Sequence, residues 1–167
     1  EEDKNPFVSE DGMWSKDCYI PAYLRRYPIA TVKGDKEKVA IVVDRSSDGI
    51  LENAELQFFD GDQLSDWGKS LVDFSVQYEQ DVYETQLFMN KLRELNLLTA
   101  KHVGQTIGGE DKAYSNFISI DGDVLKNLSN DQLLELNNRS YLSIIFGQLF
   151  SQENWSKVIA NRSDLVI

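Results

Sequence analysis

The chain has 167 residues, of which 41% are hydrophobic and 27% are charged, and its formal net charge at pH 7 is −11. A chain of this length corresponds to one domain, which can bury roughly 70% of its unfolded surface without help from disulfides or metal ions. Its negative charge repels phosphate backbones, and no apolar run approaches the ~20 residues of a membrane span, so neither nucleic-acid binding nor membrane insertion is expected.

Two residue types that often carry chemistry occur once each, as Cys18 and His102. A single cysteine forms no internal disulfide, which is typical of a reducing compartment. We therefore expect a cytoplasmic protein, with a periplasmic or surface-associated location as the alternative. A single histidine argues against the common His-rich zinc and iron sites, and we expect no cofactor. Because the chain begins at Glu1 rather than methionine, we also expect that a preceding segment has been removed.

The first third of the chain is predicted to form strands and turns. Ile29–Lys33 follows Pro28 and is short and extended, and Val39–Val43 is a continuous apolar run rich in β-branched residues. A run of that kind is typical of a strand covered on both faces. Residues 34–38 would join the two strands as a hairpin loop.

From residue 65 onward the hydrophobic period becomes helical. Side chains of one helix face recur at spacings of three and four, with polar residues between them: Leu71, Phe74, Tyr78, Val82, Thr85, Met89 and Leu92. The pattern predicts one long amphipathic helix, or two nearly collinear ones, up to about 40 Å long at ~1.5 Å per residue. Asn96 is predicted to cap it in the left-handed conformation, after which Leu97 and Leu98 fold back onto the last turn.

A second hairpin and further helices complete the chain. Residues 102–107 are predicted to pair with residues 114–120 across a glycine-containing turn. Ser129 and Gln132 have the spacing of a capping box, and the helix that they begin would continue as far as Leu149.

A last short helix would begin at Ser151 and carry Trp155. The order is strands, a long helix, a hairpin and then helices, without a repeating βαβ unit. It indicates an α+β fold in which an antiparallel sheet built from hairpins packs against one long helix and a C-terminal helical pair. We expect residues 1–167 to form a single domain.

The segment DCYIPAYLRRYPI, residues 17–29, combines three tyrosines, two prolines and two adjacent arginines. Pro21 suits the first position of a helix, where its missing N–H would be unpaired anyway, and Pro28 would end that helix about two turns later. Tyr19, Tyr23 and Tyr27, four residues apart, would then lie approximately on one face.

Two interpretations of this segment remain open. In the first it is a packed corner, in which the tyrosines bury their rings and Arg25 and Arg26 pair with nearby acids. In the second it is a pocket for a carboxylate, a phosphate or a partner's chain terminus. The recognition surface of the second interpretation would consist of Trp14, Tyr19, Tyr23, Arg25, Arg26 and Tyr27.

The segment DRSSDGILENAE, residues 44–55, has the spacing of a calcium-binding loop. Its oxygen-bearing side chains at positions one, three, five and twelve are Asp44, Ser46, Asp48 and Glu55. A calcium hand also needs a helix before the loop, whereas here a β-rich run precedes it. The pattern therefore favours an ordinary loop, with weak calcium binding as the alternative. The two Asp-Gly-Asp triplets, at residues 60–62 and 121–123, are predicted to be turns.

Several stretches of the sequence resemble the SapC family of bacterial proteins. NPFVSEDGMW and YIPAYLRRYP carry the most specific similarity, and LQFFDGDQLSD, FMNKLRELNLL, NFISIDGDVLKNLSNDQLLEL and SYLSIIFGQLFSQENW follow in the same order. The resemblance therefore covers nearly the whole chain. Members of that family typically have a further N-terminal stretch of extended segments before the position equivalent to Asn5, so the resemblance implies that this chain lacks it.

The resemblance implies no reaction, cofactor or catalytic residue. The family takes its name from a gene in a surface-layer protein export cluster. We therefore expect a non-catalytic binding or accessory protein, linked to surface-layer or outer-membrane protein handling, whose partner is a protein or a small anionic ligand. The alternative is an enzyme that uses Asp, Glu or Tyr side chains and is completed by the missing segment. It would require a deep pocket lined by acids with raised pKa values.

Overall fold

The computed structural model describes residues 5, 7–33, 39–51, 54–107 and 110–160. It consists of antiparallel hairpins and helices, which confirms the predicted α+β class. The chain divides into two compact units: residues 9–86, here called the N-terminal unit, and residues 1–8 with 87–167, here called the C-terminal unit. The single domain stays a prediction. The hairpin loop predicted at residues 34–38 lies outside the described residues.

The N-terminal unit begins with one short helix and two small hairpins. These elements are α1 (Ala22–Arg25), β1 (Ile29–Lys33), β2 (Val39–Val43), β3 (Phe59–Asp60) and β4 (Gln63–Leu64). β1 pairs with β2 in antiparallel register from Ile29 opposite Val43, and β3 pairs with β4 around Gly61, whose φ of 58° confirms the predicted turn. The expectation that β2 is covered on both faces was wrong. Val42 and Val43 are each 38% exposed, because a two-stranded hairpin does not enclose its own faces.

The long helix predicted from residue 65 is present as one element, α2 (Asp66–Glu94), 29 residues long. Ser65 caps it: the Ser65 hydroxyl accepts a hydrogen bond from the Gly68 N–H at 2.9 Å and donates one to the Gln57 carbonyl at 2.6 Å. A Cβ atom at Gly68 would lie under 3.0 Å from the Phe58 carbonyl oxygen, so this close approach requires glycine. Among the described residues, no helix is both long and apolar enough to cross a membrane.

The C-terminal unit contains a long hairpin followed by helices. Its elements are β5 (Leu98–Ile107), β6 (Glu110–Ile120), α3 (Gly122–Lys126), α4 (Asn130–Asn138), α5 (Tyr141–Ser151) and α6 (Trp155–Ala160). The hairpin is longer than the sequence predicted, and its register shifts between Val103 and Gly104. The left-handed cap is confirmed, since Asn96 has a φ of 54° and the Leu97 N–H bonds back to the Leu92 carbonyl at 2.9 Å.

Three predictions for this unit need correction, and one is confirmed. The helix expected to run on to residue 149 is broken into α4 and α5, because Ser140 is left-handed with a φ of 59°. The second Asp-Gly-Asp triplet is not only a turn, since the Asp121 side chain caps α3. Ser151 has helical backbone angles and makes no side-chain cap. The capping box of Ser129 and Gln132 is present in full.

The buried apolar side chains are concentrated in one unit. Of the ten hydrophobic residues that are buried in the described part of the chain, nine belong to the C-terminal unit: Phe88, Leu92, Leu95, Leu97, Ile120, Leu125, Leu136, Tyr141 and Ile145. The tenth is Ile29, in the N-terminal unit. Most of the apolar burial that opposes unfolding therefore lies outside the unit that holds the tyrosine–arginine segment.

Candidate functional site

The helix predicted in the tyrosine–arginine segment is shorter than expected. α1 covers one turn, Pro21 is its N-cap residue rather than its first helical residue, and the cap residue at the other end is Arg26. The helix cannot continue to Pro28 because the residue before a proline is disfavoured in the helical region. The Tyr27–Pro28 peptide bond is cis. Tyr19 and Tyr27 consequently lie outside the helix, and only Tyr23 is helical.

Arg26 points into the N-terminal unit and is held there. Its Nη1 donates a hydrogen bond to Glu79 Oε1 at 3.0 Å, and the Arg26 side chain is only 12% exposed. The guanidinium carbon lies 4.2 Å from the ring centroid of Tyr78 and 5.1 Å from that of Tyr23. The Thr31 hydroxyl donates to the same Glu79 oxygen. Arg26 therefore follows the packed-corner interpretation, with its charge neutralised inside the unit.

Arg25 is placed differently. It is exposed, its Nη2 donates a hydrogen bond to the Tyr19 hydroxyl at 2.9 Å, and its guanidinium carbon lies 5.1 Å from the ring centroid of Tyr19 and 5.0 Å from that of Phe74. Among the residues that the structure describes, no carboxylate lies within ion-pair distance of it. Residues 9–86 nevertheless contain 16 acidic residues against eight basic ones. The partners of Arg25 are therefore aromatic rings rather than acids.

The tyrosines of the segment are not buried, contrary to the packed-corner interpretation. Tyr19, Tyr23 and Tyr27 are 70%, 62% and 56% exposed. Ile20 and Leu24, which lie between them in the sequence, are exposed as well. We call these five residues together with Arg25 the aromatic–arginine surface. Trp14, which the sequence also assigned to the recognition surface, is half-buried.

Tyr27 connects this surface to the loop with calcium-like spacing. Its hydroxyl donates a hydrogen bond to Asp44 Oδ2 at 3.0 Å, while Asp44 Oδ1 accepts from the hydroxyl and the N–H of Ser46 at 2.6 and 3.0 Å. The Ser46 hydroxyl, followed by the Ser46 N–H and the Tyr27 hydroxyl, holds the pKa of Asp44 below its ordinary value of 3.8. Asp44 thus serves as the acceptor of a local turn.

Of the other predicted calcium ligands, Ser46 bonds to Asp44, whereas Asp48 and Glu55 are exposed carboxylates. Within the described ranges of the chain, no group of three or more His, Cys, Asp or Glu side chains is close enough to hold a metal ion. Residues 44–51 follow β2 and form turns, and the ordinary-loop interpretation of residues 44–55 stays a prediction.

The enzyme alternative requires a deep pocket lined by acids with raised pKa values. An open groove of about 520 Å³ runs along α2 in the N-terminal unit, and its lining includes Glu79, Asp81 and Glu84. Outside that groove, the pKa of Asp11 is lowered, chiefly by the Ser9 hydroxyl, as that of Asp44 is by Ser46. A catalytic acid needs a shift in the opposite direction.

Four residues that hold Arg25, Arg26 or the partner of Arg26 in place were not predicted from the sequence. Phe74, Tyr78 and Glu79 come from α2, and Thr31 comes from β1. The periodicity assigned Phe74 and Tyr78 to an apolar helix face, which gave no indication that they would contact guanidinium groups. No local pattern links Glu79 to Arg26, because 53 residues separate them.

Comparison with known proteins gives one family and no individual relative. A protein-family model described as SapC matches residues 1–158 of the 167-residue chain. No curated protein and no solved structure gives a significant match. The family match covers residues of both units, so it includes the aromatic–arginine surface as well as the C-terminal core.

Proposed function

The chain belongs to the SapC family, and on that premise we propose that it is a non-catalytic binding or accessory protein that captures a protein partner through the aromatic–arginine surface. The name of the family connects the proposal to surface-layer or outer-membrane protein handling. The partner binds to the exposed side chains of residues 19–27, and Arg25 provides the charged contact.

One observation carries the proposal: the exposed Arg25 lies against the exposed Tyr19 and against Phe74, and among the described residues it lacks an acidic partner in an acid-rich unit. Among the described residues, Arg25 contacts Tyr19 and Phe74 and forms no ion pair. Tyrosine and arginine are enriched at protein interfaces and dominate their binding energy. Surface tyrosines also supply contact area at little conformational cost, since they have few rotatable bonds.

The acidic residues of the N-terminal unit make the lack of an ion pair at Arg25 informative. With 16 acidic residues in residues 9–86, an exposed arginine has many possible internal partners. Arg26 takes one of them, Glu79, whereas Arg25 remains on the surface beside aromatic rings. A guanidinium in that state is available to an external acceptor, while its aromatic neighbours restrict its orientation.

The lowered pKa values of Asp11 and Asp44 identify these two carboxyl groups as parts of local turns rather than as candidates for a catalytic acid. An acid–base enzyme needs at least one group whose pKa is shifted toward the working pH. Both of these carboxyl groups are shifted away from it, and their hydrogen-bond donors are neighbours in local turns. Their role is to stabilise those turns.

The test compares partner capture by the immobilised parent chain and by three variants of it. Arg25→Ala removes the proposed contact, and Tyr23→Ala removes an exposed ring of the aromatic–arginine surface. Arg45→Ala removes a matched charge from another exposed position of the same unit. Proteins retained from a lysate of the native host are quantified by mass spectrometry. We expect at least one protein to be retained by the parent chain and by Arg45→Ala, and to be depleted by roughly tenfold or more with Arg25→Ala and Tyr23→Ala. Equal retention by all four forms would refute the proposal.

A further inference from the structure

We propose that the group recognised by Arg25 is a carboxylate carried next to an apolar or aromatic group, rather than a phosphate. This inference rests on the proposed function, because it assigns a ligand chemistry to the same surface. It commits to a polypeptide carboxylate, such as an acidic side chain flanked by apolar residues or a chain terminus.

Arg25 has hydrogen-bond donors that remain available to a ligand. A guanidinium has five N–H groups in one plane. The Tyr19 hydroxyl accepts from Nη2, and among the described residues no other hydrogen-bond acceptor contacts the Arg25 side chain. The remaining N–H groups are enough for a two-pronged pair with one carboxylate, which matches this planar fork in charge and in geometry.

Arg25 is the one arginine of the segment that is available to an anion. A phosphate group carries between one and two negative charges near neutral pH and usually needs several donors or cations to offset its loss of water. The adjacent Arg26 is not available for this purpose, since its guanidinium is mostly buried and paired with Glu79. One guanidinium therefore matches a monoanion better than a dianion.

The net charge of the N-terminal unit favours a ligand with a single negative charge. The 16 acidic and eight basic residues of residues 9–86 give this unit a formal charge of −8. The unfavourable interaction of an anion with that background grows in proportion to the charge of the anion. A carboxylate is consequently repelled about half as strongly as a phosphate dianion, while it makes the same short-range contact with Arg25.

Apolar and aromatic side chains lie on the N-terminal side of Arg25 in the sequence. Leu24, Tyr23 and Ile20, which precede Arg25, are all exposed. A ligand that presents only charge leaves these side chains in water, whereas a carboxylate attached to an apolar group covers some of them at the same time. Charge and apolar contact thus select the same ligand class.

The experiment uses a minimal probe with this chemistry. Phenylacetate has a carboxylate beside an aromatic ring, phenylacetamide is its neutral isostere, and inorganic phosphate is the competing anion. Each is titrated into the isotopically labelled full chain, and NMR follows the Arg25 Nε–H signal and the backbone amides of residues 19–27. We expect saturable shifts with phenylacetate and a Kd of about 1 to 10 mM, the range for a fragment of this size.

Three variants make the result specific. Arg25→Gln should weaken phenylacetate binding by roughly tenfold or more. Arg25→Lys keeps the charge but loses the planar fork, and should bind more weakly than the parent chain. Arg45→Gln should bind as the parent chain does, because it removes the same charge elsewhere in the unit. The dispersion of the amide spectrum shows in each case whether the variant is folded.

The remaining outcomes overturn the inference. Phosphate binding as tightly as phenylacetate would show a general anion site, and equal binding of phenylacetamide would show an apolar site in which the charge is not used. Absence of saturable shifts would remove the carboxylate site altogether. If partner capture depends on Arg25 but phenylacetate does not bind, the carboxylate inference is wrong. The proposed function is then kept, with Arg25 contacting another group of the partner. Phenylacetate binding without such capture shows that the surface takes a small acid, which contradicts both the polypeptide source and the proposed function.

Discussion

Replacing Arg26 with alanine should destabilise the N-terminal unit much more than the same change at Arg25. The two arginines are adjacent in the sequence, and both lie beside aromatic rings. They differ in burial and in partner: Arg26 is 12% exposed and paired with Glu79, whereas Arg25 is exposed and bonded to the Tyr19 hydroxyl. The comparison therefore isolates the effect of burying a charge pair.

The expected magnitudes follow from these contacts. Removing one member of a buried ion pair costs about 3–5 kcal/mol when the partner is left fully buried. The Glu79 side chain is 31% exposed and keeps its hydrogen bond from Thr31, so we reduce this cost to roughly 2 kcal/mol. Loss of the contacts with the Tyr23 and Tyr78 rings adds about 1 kcal/mol. We expect a total of about 3 kcal/mol for Arg26→Ala, against about 1 kcal/mol for Arg25→Ala, which loses only exposed contacts.

The assay is urea unfolding, followed by far-UV circular dichroism and by tryptophan fluorescence. Trp14 and Trp67 belong to the N-terminal unit and Trp155 belongs to the C-terminal unit. Replacing the tryptophans of one unit with phenylalanine therefore leaves the fluorescence of the other unit alone. As a control, Glu79→Gln added to Arg26→Met should restore part of the stability, because no charge is then left unpaired. Two results would refute this reasoning. One is that Arg26→Ala lowers the free energy of unfolding by no more than Arg25→Ala does. The other is that the changes at Arg26 and Glu79 are additive.

Three further predictions concern the turn, the loop and the start of α2. Gly68→Ala should lower the free energy of unfolding in urea by roughly 1–3 kcal/mol, since its Cβ would meet the Phe58 carbonyl oxygen. The control Gly147→Ala has open space at the Cβ position and should be neutral or stabilising. Ser46→Ala should raise the pKa of Asp44 toward 3.8 in an NMR titration. Because the pKa is lower in the folded chain, the Asp44 contribution is present above pH 3.8 and is lost as the pH falls through the folded value, so the variant should lose less stability on acidification. Finally, calcium and EDTA should give the same Tm, and a reproducible rise with calcium would restore the calcium interpretation of residues 44–55.

The features that the sequence predicted correctly are those determined by a few neighbouring residues. The capping box of Ser129 and Gln132 and the left-handed Asn96 each depend on backbone groups within one or two turns. β1 and β2 were predicted with the right bounds because they are short apolar runs bordered by turn residues or a proline. The 29-residue α2 was recognised from its periodicity alone.

The features that the sequence did not reveal depend on distant partners. Whether Arg25 or Arg26 points inward is decided by Glu79, Phe74 and Tyr78 on α2, and both arginines have the same local context in the sequence. The exposure of β2 was missed because β-branched residues indicate a strand without indicating how many strands lie beside it. The break at Ser140 was missed because serine carries no strong preference for the left-handed conformation.

The uneven distribution of the core has a consequence for the energetics of capture. Nine of the ten described core side chains lie in the C-terminal unit, and among the β1 and β2 residues whose burial is described only Ile29 is a buried apolar residue. The amides of β1 and β2 should exchange with deuterated solvent well before those near Leu97 and Leu136. A bound partner would cover tyrosine rings that folding leaves in water. Part of the free energy of association would then oppose the transient opening of the β1–β2 hairpin. Amide exchange in β1 and β2 would therefore become slower on binding.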